Sequence, residues 1–299
     1  MLLGATLLAA AVAANAQPVV TPDIRDTVLV GPDPVIAAAD KAWQRRDEGH
    51  VGGRARRERI GEAIAGYEKA AQQSSENAEA RWKLARALFF DAKLTGRDKD
   101  DELAIYERAR KAGEEALAIL RHRAPGGPLP AKASPKEVAA ALTTDRDAAP
   151  AFFWTAVAWG EWGQLASKMQ GMKTGAAIRI RDAAATVVAL DPSFEEAGGY
   201  RVLGRLHQKA PRVPYVTGWV SRADGLRYLN LAVATAPKNF VNRHFLAEAM
   251  AGDGDAGRTA AIRLEKDLVA DTPSPTHLVE DLAIQDEARK NLAAWKAAL

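Results

Sequence analysis

The chain has 299 residues, 47% of them hydrophobic and 6% aromatic, with a formal charge of +3 and a pI near 9.0. It contains no cysteine, which excludes disulfides, thiolate metal sites, cysteine nucleophiles and a lipid-modified N-terminal cysteine. The small basic excess reads as a solvated surface, because nucleic-acid binding calls for a concentrated basic stripe. The nearest approach to one, Arg54-Ala55-Arg56-Arg57-Glu58-Arg59, is diluted by Glu58 and Glu62, so no nucleic-acid partner is expected.

Residues 1–16, MLLGATLLAAAVAANA, are apolar and end in Ala14-Asn15-Ala16, small residues at the −3 and −1 positions before Gln17. This predicts a signal peptide cleaved after Ala16, and hence a periplasmic protein. The usual positive flank is missing, since the first basic residue is Arg25. No other stretch reaches about 18 uninterrupted apolar residues, so no membrane span is expected. Residues 17–34 carry four prolines and read as an extended leader.

Helical periodicity begins near Val35, with Trp43 on its apolar face. Strand signals are nearly absent: the short β-branched runs show no sustained alternation. Ala63, Tyr67 and Ala70 follow at tetratricopeptide spacing (small, aromatic, small), and Leu84-Ala85 fill the matching positions of the helix that starts at Ala78. A polar interruption at 95–101 precedes a long helix, Leu103 to Arg121, with Ala109, Gly113 and Ala116 at repeat spacing. The segment 124–135, APGGPLPAKASP, is the most loop-like part of the interior.

Beyond it, a helix near 150–162 carries Trp154, Trp159 and Trp162, and a partner helix runs from about Gly175 to Leu190. Pro192 and Pro237 then stop two alanine-rich helices, as proline cannot continue one. The break 211–219 lies between these prolines, and helices over 222–234, 240–250, 259–270 and 276–298 complete the chain. The prolines at 192, 237 and 273 are 45 and 36 residues apart, against about 34 for a regular repeat. The fold class is therefore all-α: tetratricopeptide-like helical hairpins over 35–299, stacked as an irregular α-solenoid with a break near 124–135 and a C-terminal capping helix.

Positive signals for catalysis are missing. The five histidines form no HExxH pattern or i,i+3/i+4 pair, and neither a G-x-S-x-G elbow nor a phosphate-binding loop is present. Gly252-Asp253-Gly254-Asp255-Ala256-Gly257 lacks calcium-loop spacing and reads as a turn. No enzyme activity, cofactor or metal is expected.

The second half does hold a set of aromatic and basic residues suited to a groove for a small organic anion. These are Trp154, Trp159, Trp162, Tyr200, Arg201, Arg205, His207, Tyr215, Trp219, Arg222, Arg243 and Phe245. Rings give apolar contact and guanidinium groups capture carboxylates in bidentate fashion. The competing account is that the tryptophans fill helix cores and the arginines face solvent.

AFFWTAVAWGEWGQLAS (151–167), DPSFEEAGGYRVLGRLHQKAP (191–211), the proline-rich break and TAPKN (235–239) together resemble the T-component family of TRAP transporters. The likeness spans roughly residues 60–275. It implies a periplasmic helical-repeat protein that serves tripartite ATP-independent transport by associating with a solute-binding protein. It also implies homotrimers and a ligand cleft or pore within the repeats. Members can be lipoproteins; with no cysteine to lipidate, this chain departs from that pattern. The alternative is a generic tetratricopeptide scaffold for envelope protein–protein contacts, without a small ligand.

Overall fold

The computed structural model describes residues 33–296, which fall in one compact unit beginning at Asp33. The expected signal peptide and residues 17–32 of the expected leader lie outside the described residues. The last two leader residues belong to the first helix instead. Asp33 Oδ1 accepts the Val35 N–H at 2.8 Å, and Pro34 sits at the first helical position, where its missing N–H leaves no bond unmade.

Thirteen helices occur among the described residues: α1 (Pro34–Gln44), α2 (Arg57–Gln73), α3 (Ala78–Leu94), α4 (Lys99–His122), α5 (Pro135–Ala141), α6 (Ala148–Leu165), α7 (Lys168–Thr174), α8 (Ala176–Leu190), α9 (Phe194–Lys209), α10 (Arg222–Thr235), α11 (Phe240–Ala251), α12 (Gly254–Ala270) and α13 (Leu278–Lys296). No strand is present among these residues; Val51 and Arg54 form an isolated bridge. None of the helices is long and apolar enough to cross a membrane.

Local chemistry explains the helix ends. Asp98 caps α4, whose first turn carries Asp100, Asp101 and Glu102 and whose last turn carries Arg121 and His122, charges that complement the helix dipole at both ends. Asn77 caps α3 and Asn239 caps α11, each through a side-chain oxygen that accepts a backbone N–H. The short helices α5 and α7, which hydrophobic periodicity leaves as loop, start with complete capping boxes, Ser134/Glu137 and Ser167/Gln170. Of the expected turn over 252–257 only Gly252 and Asp253 are non-helical; Gly254, at a left-handed φ of 72°, already opens α12.

The helices pack in sequence. α3, α6, α9, α11 and α13 touch one another in that order, and α13 returns to touch α3. Outside this ring, α4 lies on α3 and α6, α8 on α6 and α9, α10 on α9 and α11, and α12 on α11 and α13. α2 covers α3 and is itself covered by α1, while α5 and α7 lie on α8. The 124–135 loop leaves the core continuous, because Leu120 of α4 shares a cluster with Phe152 and Phe153 of α6 and Val187 of α8. Small residues permit the close approach: a methyl group added at Gly113 of α4 would overlap Thr155 of α6.

The α1–α2 connection reinforces the closure of the ring. Arg46 donates to Glu280 Oε1 at 2.8 and 3.2 Å and to the Thr276 carbonyl at 2.8 Å. Its guanidinium lies 4.5 Å from the centre of the Trp43 ring and 5.3 Å from that of Phe90. Gly53 sits directly on the backbone of Ala283, where any Cβ would overlap. α13 therefore links the two ends of the helix order as well as covering α12.

Candidate functional site

The five ring helices each contribute a charged side chain to one cluster: Lys93 from α3, Glu161 from α6, Arg205 from α9, Glu248 from α11 and Glu287 from α13. Lys93 Nζ is 3.7 Å from Glu161, Arg205 pairs with Glu248, and Glu287 lies 3.4 Å from Nε2 of His244. The proximity of Glu161, opposed by burial and aided by Glu287, raises the Lys93 pKa and holds it cationic. Lys93 keeps 41% of its side-chain surface accessible although protein atoms surround it closely, as happens where water enters a concavity. These residues come from segments almost two hundred positions apart, and only ring closure brings them together.

Two helical turns earlier on α3 and α6 stand Arg86 and Trp154, about 10 Å along the axis at 1.5 Å per residue. The Arg86 guanidinium lies 4.0 Å from the centre of the Trp43 ring and 5.3 Å from that of Trp82. It donates to the Tyr67 hydroxyl at 3.4 Å, and that hydroxyl donates to Asp40 at 2.7 Å. Burial lowers the Arg86 pKa, while the charges of Tyr67 and Glu195 act in the opposite sense. Arg201 of α9 approaches Glu195 as well. It donates to the Glu195 carbonyl at 3.3 Å and to Asn242 Oδ1 at 2.9 Å, and lies 5.7 Å from the centre of the Phe153 ring. Burial lowers its pKa, and Glu195 and Glu196 oppose that.

Two buried donors at this level lack a partner: Nε of Arg86 and the indole Nε1 of Trp154. Trp154 is wedged between Phe89 and Phe153, with ring centres 5.6 and 4.9 Å away. A buried donor left unpaired costs about 1–3 kcal/mol, so an acceptor arriving from solution would be held here with advantage. The backbone of this corner is strained too. Glu195, Glu196 and Ala197 all adopt left-handed φ (48°, 54° and 68°), a region that costs L-residues about 1–2 kcal/mol each. Arg201 and Asn242 hold the turn by donating to the Glu195 and Glu196 carbonyls.

The twelve residues singled out from the sequence separate into four settings. Trp154, Arg201, Arg205 and Phe245 face the ring interior; the Arg205 guanidinium lies 4.1 Å from the centre of the Phe245 ring. Trp159 and Trp162 pack edge-on, ring centres 5.4 Å apart, with Arg110 against both; Trp162 also lines a cavity with Arg110 and Leu103. Tyr200, His207 and Trp219 form a partly exposed aromatic column with Tyr228 between α9 and α10. His207 Nδ1 accepts the Ser221 N–H at 3.0 Å, and burial lowers its pKa, which keeps the ring neutral. Tyr215 is fully exposed, Arg222 reaches the Ala249 carbonyl, and Arg243 is buried against Asp271.

Arg86, Lys93, Glu161, Glu195 and Glu287 escaped the sequence reading. Arg86 stands four residues after Trp82, one turn along the same helix, and this was the available signal. Among the described residues no group of acids, histidines or cysteines could hold a metal ion. Comparison of the chain with protein-family models and with curated proteins finds no match.

Proposed function

We propose that this protein is a periplasmic helical-repeat accessory protein of a TRAP-type solute transport system, and that the interior of its helix ring holds a small organic acid. The helix order supports a tetratricopeptide-like reading: hairpins α3/α4, α6/α8, α9/α10 and α11/α12 follow one another, with the first helix of each on the inside. The resemblance of the 151–167 and 191–211 segments adds the transport context, in which a solute-binding protein is the partner and a homotrimer the assembly.

The observation that carries the ligand reading is the pair of buried, unpartnered donors of Arg86 and Trp154, next to the Phe153 ring that Arg201 covers. The unpaired Nε–H of Arg86 and the indole N–H of Trp154 are donors that a carboxylate can take up. The surrounding Phe89, Phe153 and Trp154 rings would cover the hydrocarbon part of a carboxylic acid. Differential scanning fluorimetry against dicarboxylates, keto acids and amino acids tests this. A melting temperature raised by at least one carboxylate, and not by its amide, is the expected result; no shift from any carboxylate would refute it. Pull-down from periplasmic extract tests the transport context, and recovery of no solute-binding protein would count against it.

A further inference from the structure

The cavity at the charged level of the ring is lined by Lys93 of α3, Glu102 and Tyr106 of α4, Glu161, Gln164 and Leu165 of α6 and Glu287 of α13, and encloses ≈ 290 Å³. That places it at the lower end of the range of about 300–1,000 Å³ usual for small-molecule sites. Its charges do not cancel. Glu248 is taken up by Arg205 and Glu287 by His244. Among the lining residues Glu102 and Glu161 then face one cation, Lys93, at 3.7 Å from Glu161, while Lys99 acts on Glu102 from outside the cavity. No hydrogen bond reaches either carboxylate among the described residues.

A second observation points into the same space. Tyr106 is 1% exposed, and its hydroxyl is buried without a hydrogen-bond partner. The ring packs beside Phe89, and the charges that act on the hydroxyl are those of Glu161 and Glu102, which line the same cavity. Burial, with these two charges adding, raises its pKa, so the hydroxyl keeps its proton and two acceptor lone pairs.

We propose that this cavity is a binding site for a small organic ammonium ion, held by Glu102, Glu161 and the Tyr106 hydroxyl. An –NH₃⁺ group has three donors. Two carboxylates and a phenolic oxygen supply three acceptors to one cavity, and the added charge offsets the acid excess of its lining. Gln164 and the apolar edge of Leu165 then face the carbon chain. The site is chemically opposite to the arginine level about 10 Å away along α3 and α6, and it does not depend on the acid proposed there.

Isothermal titration calorimetry of the full chain tests the proposal, with n-butylamine and putrescine as probes and n-butyrate as the charge-reversed control. The wild type is expected to bind at least one amine in the millimolar range or tighter. Glu161→Gln and Glu102→Gln should each weaken that binding at least fivefold, and Tyr106→Phe about threefold or more. Far-ultraviolet circular dichroism of each variant confirms that the fold is kept, and Glu102, half-exposed on the first turn of α4, supplies the variant least apt to disturb it. Arg86→Met should leave amine binding unchanged while weakening carboxylate binding at least tenfold, so the two sites fail or stand separately. Absence of heat with both amines, or amine affinity unaltered in Glu161→Gln and Glu102→Gln, would overturn the proposal.

Discussion

Replacing Arg46 by Met asks how much the return of α13 to the start of the helix order contributes to stability. The methionine keeps an unbranched stem against Trp43 and Phe90 but removes three charge-assisted hydrogen bonds, two to Glu280 and one to the Thr276 carbonyl. Arg46 and Glu280 retain 10% and 21% of their side-chain surface, so the pair is mostly buried. Breaking a buried pair from one side costs about 3–5 kcal/mol. The accessible fifth of Glu280 and the residual stacking place the expected loss near the bottom of that range, about 3 kcal/mol. Urea unfolding of Arg46→Met, Glu280→Gln and the double variant should give a coupling energy above about 1 kcal/mol. Hydrogen exchange should accelerate first in 45–56 and 276–287, the segments that meet. A loss below about 0.5 kcal/mol, zero coupling, or faster exchange spread evenly over all helices would refute the reasoning.

Three further outcomes are expected. His244 is buried between Glu265 at 2.8 Å and Glu287 at 3.4 Å; burial opposes its charge, but these hydrogen bonds prevail and push its pKa up to about 9. Because the folded value lies above the ordinary 6.5, the stabilisation is complete below about pH 6.5 and is lost as pH rises through about 9. This amounts to a fall on the order of 3 kcal/mol, which urea midpoints at pH 6 and 10 would measure and which His244→Gln should flatten. Gly113→Ala should destabilise by about 1–3 kcal/mol by forcing α4 from Thr155 of α6, read from the thermal midpoint. Glu196→Gly, at an exposed residue with φ of 54°, should hold or raise stability by up to about 1 kcal/mol despite the loss of its bond to Asn239, since glycine tolerates the left-handed region; a loss of more than about 1 kcal/mol in chemical denaturation would contradict this.

How far the fold was legible follows from which interactions are local. Ala63, Tyr67 and Ala70 repeat on one helix face, and all three are fully buried. The caps at Asp98, Asn77 and Asn239 act within three residues of themselves, so local sequence contains them. The capping boxes at Ser134 and Ser167 are equally local and reveal α5 and α7, but seven residues span only two turns, too few for apolar periodicity to show.

The site was less legible because its members are distant in sequence. Arg201, Arg205, Trp154 and Phe245 could be named from aromatic and basic composition, yet nothing in the sequence separates them from Trp159 and Trp162, which fill the core. Lys93, Glu161 and Glu287 look like ordinary helix-surface charges until α13 meets α3. The left-handed turn at Glu195–Ala197 was hidden for a different reason. None of its residues is glycine, and it persists through tertiary bonds from Arg201 and Asn242.

The arginine level beside Trp154 is where the proposed acid would be held. Isothermal titration of the wild type and Arg86→Met with the carboxylate that gives the largest thermal shift tests it directly. Saturable one-to-one binding by the wild type, weakened at least tenfold in a folded Arg86→Met protein, is the predicted result. Equal affinity in the two proteins would contradict it.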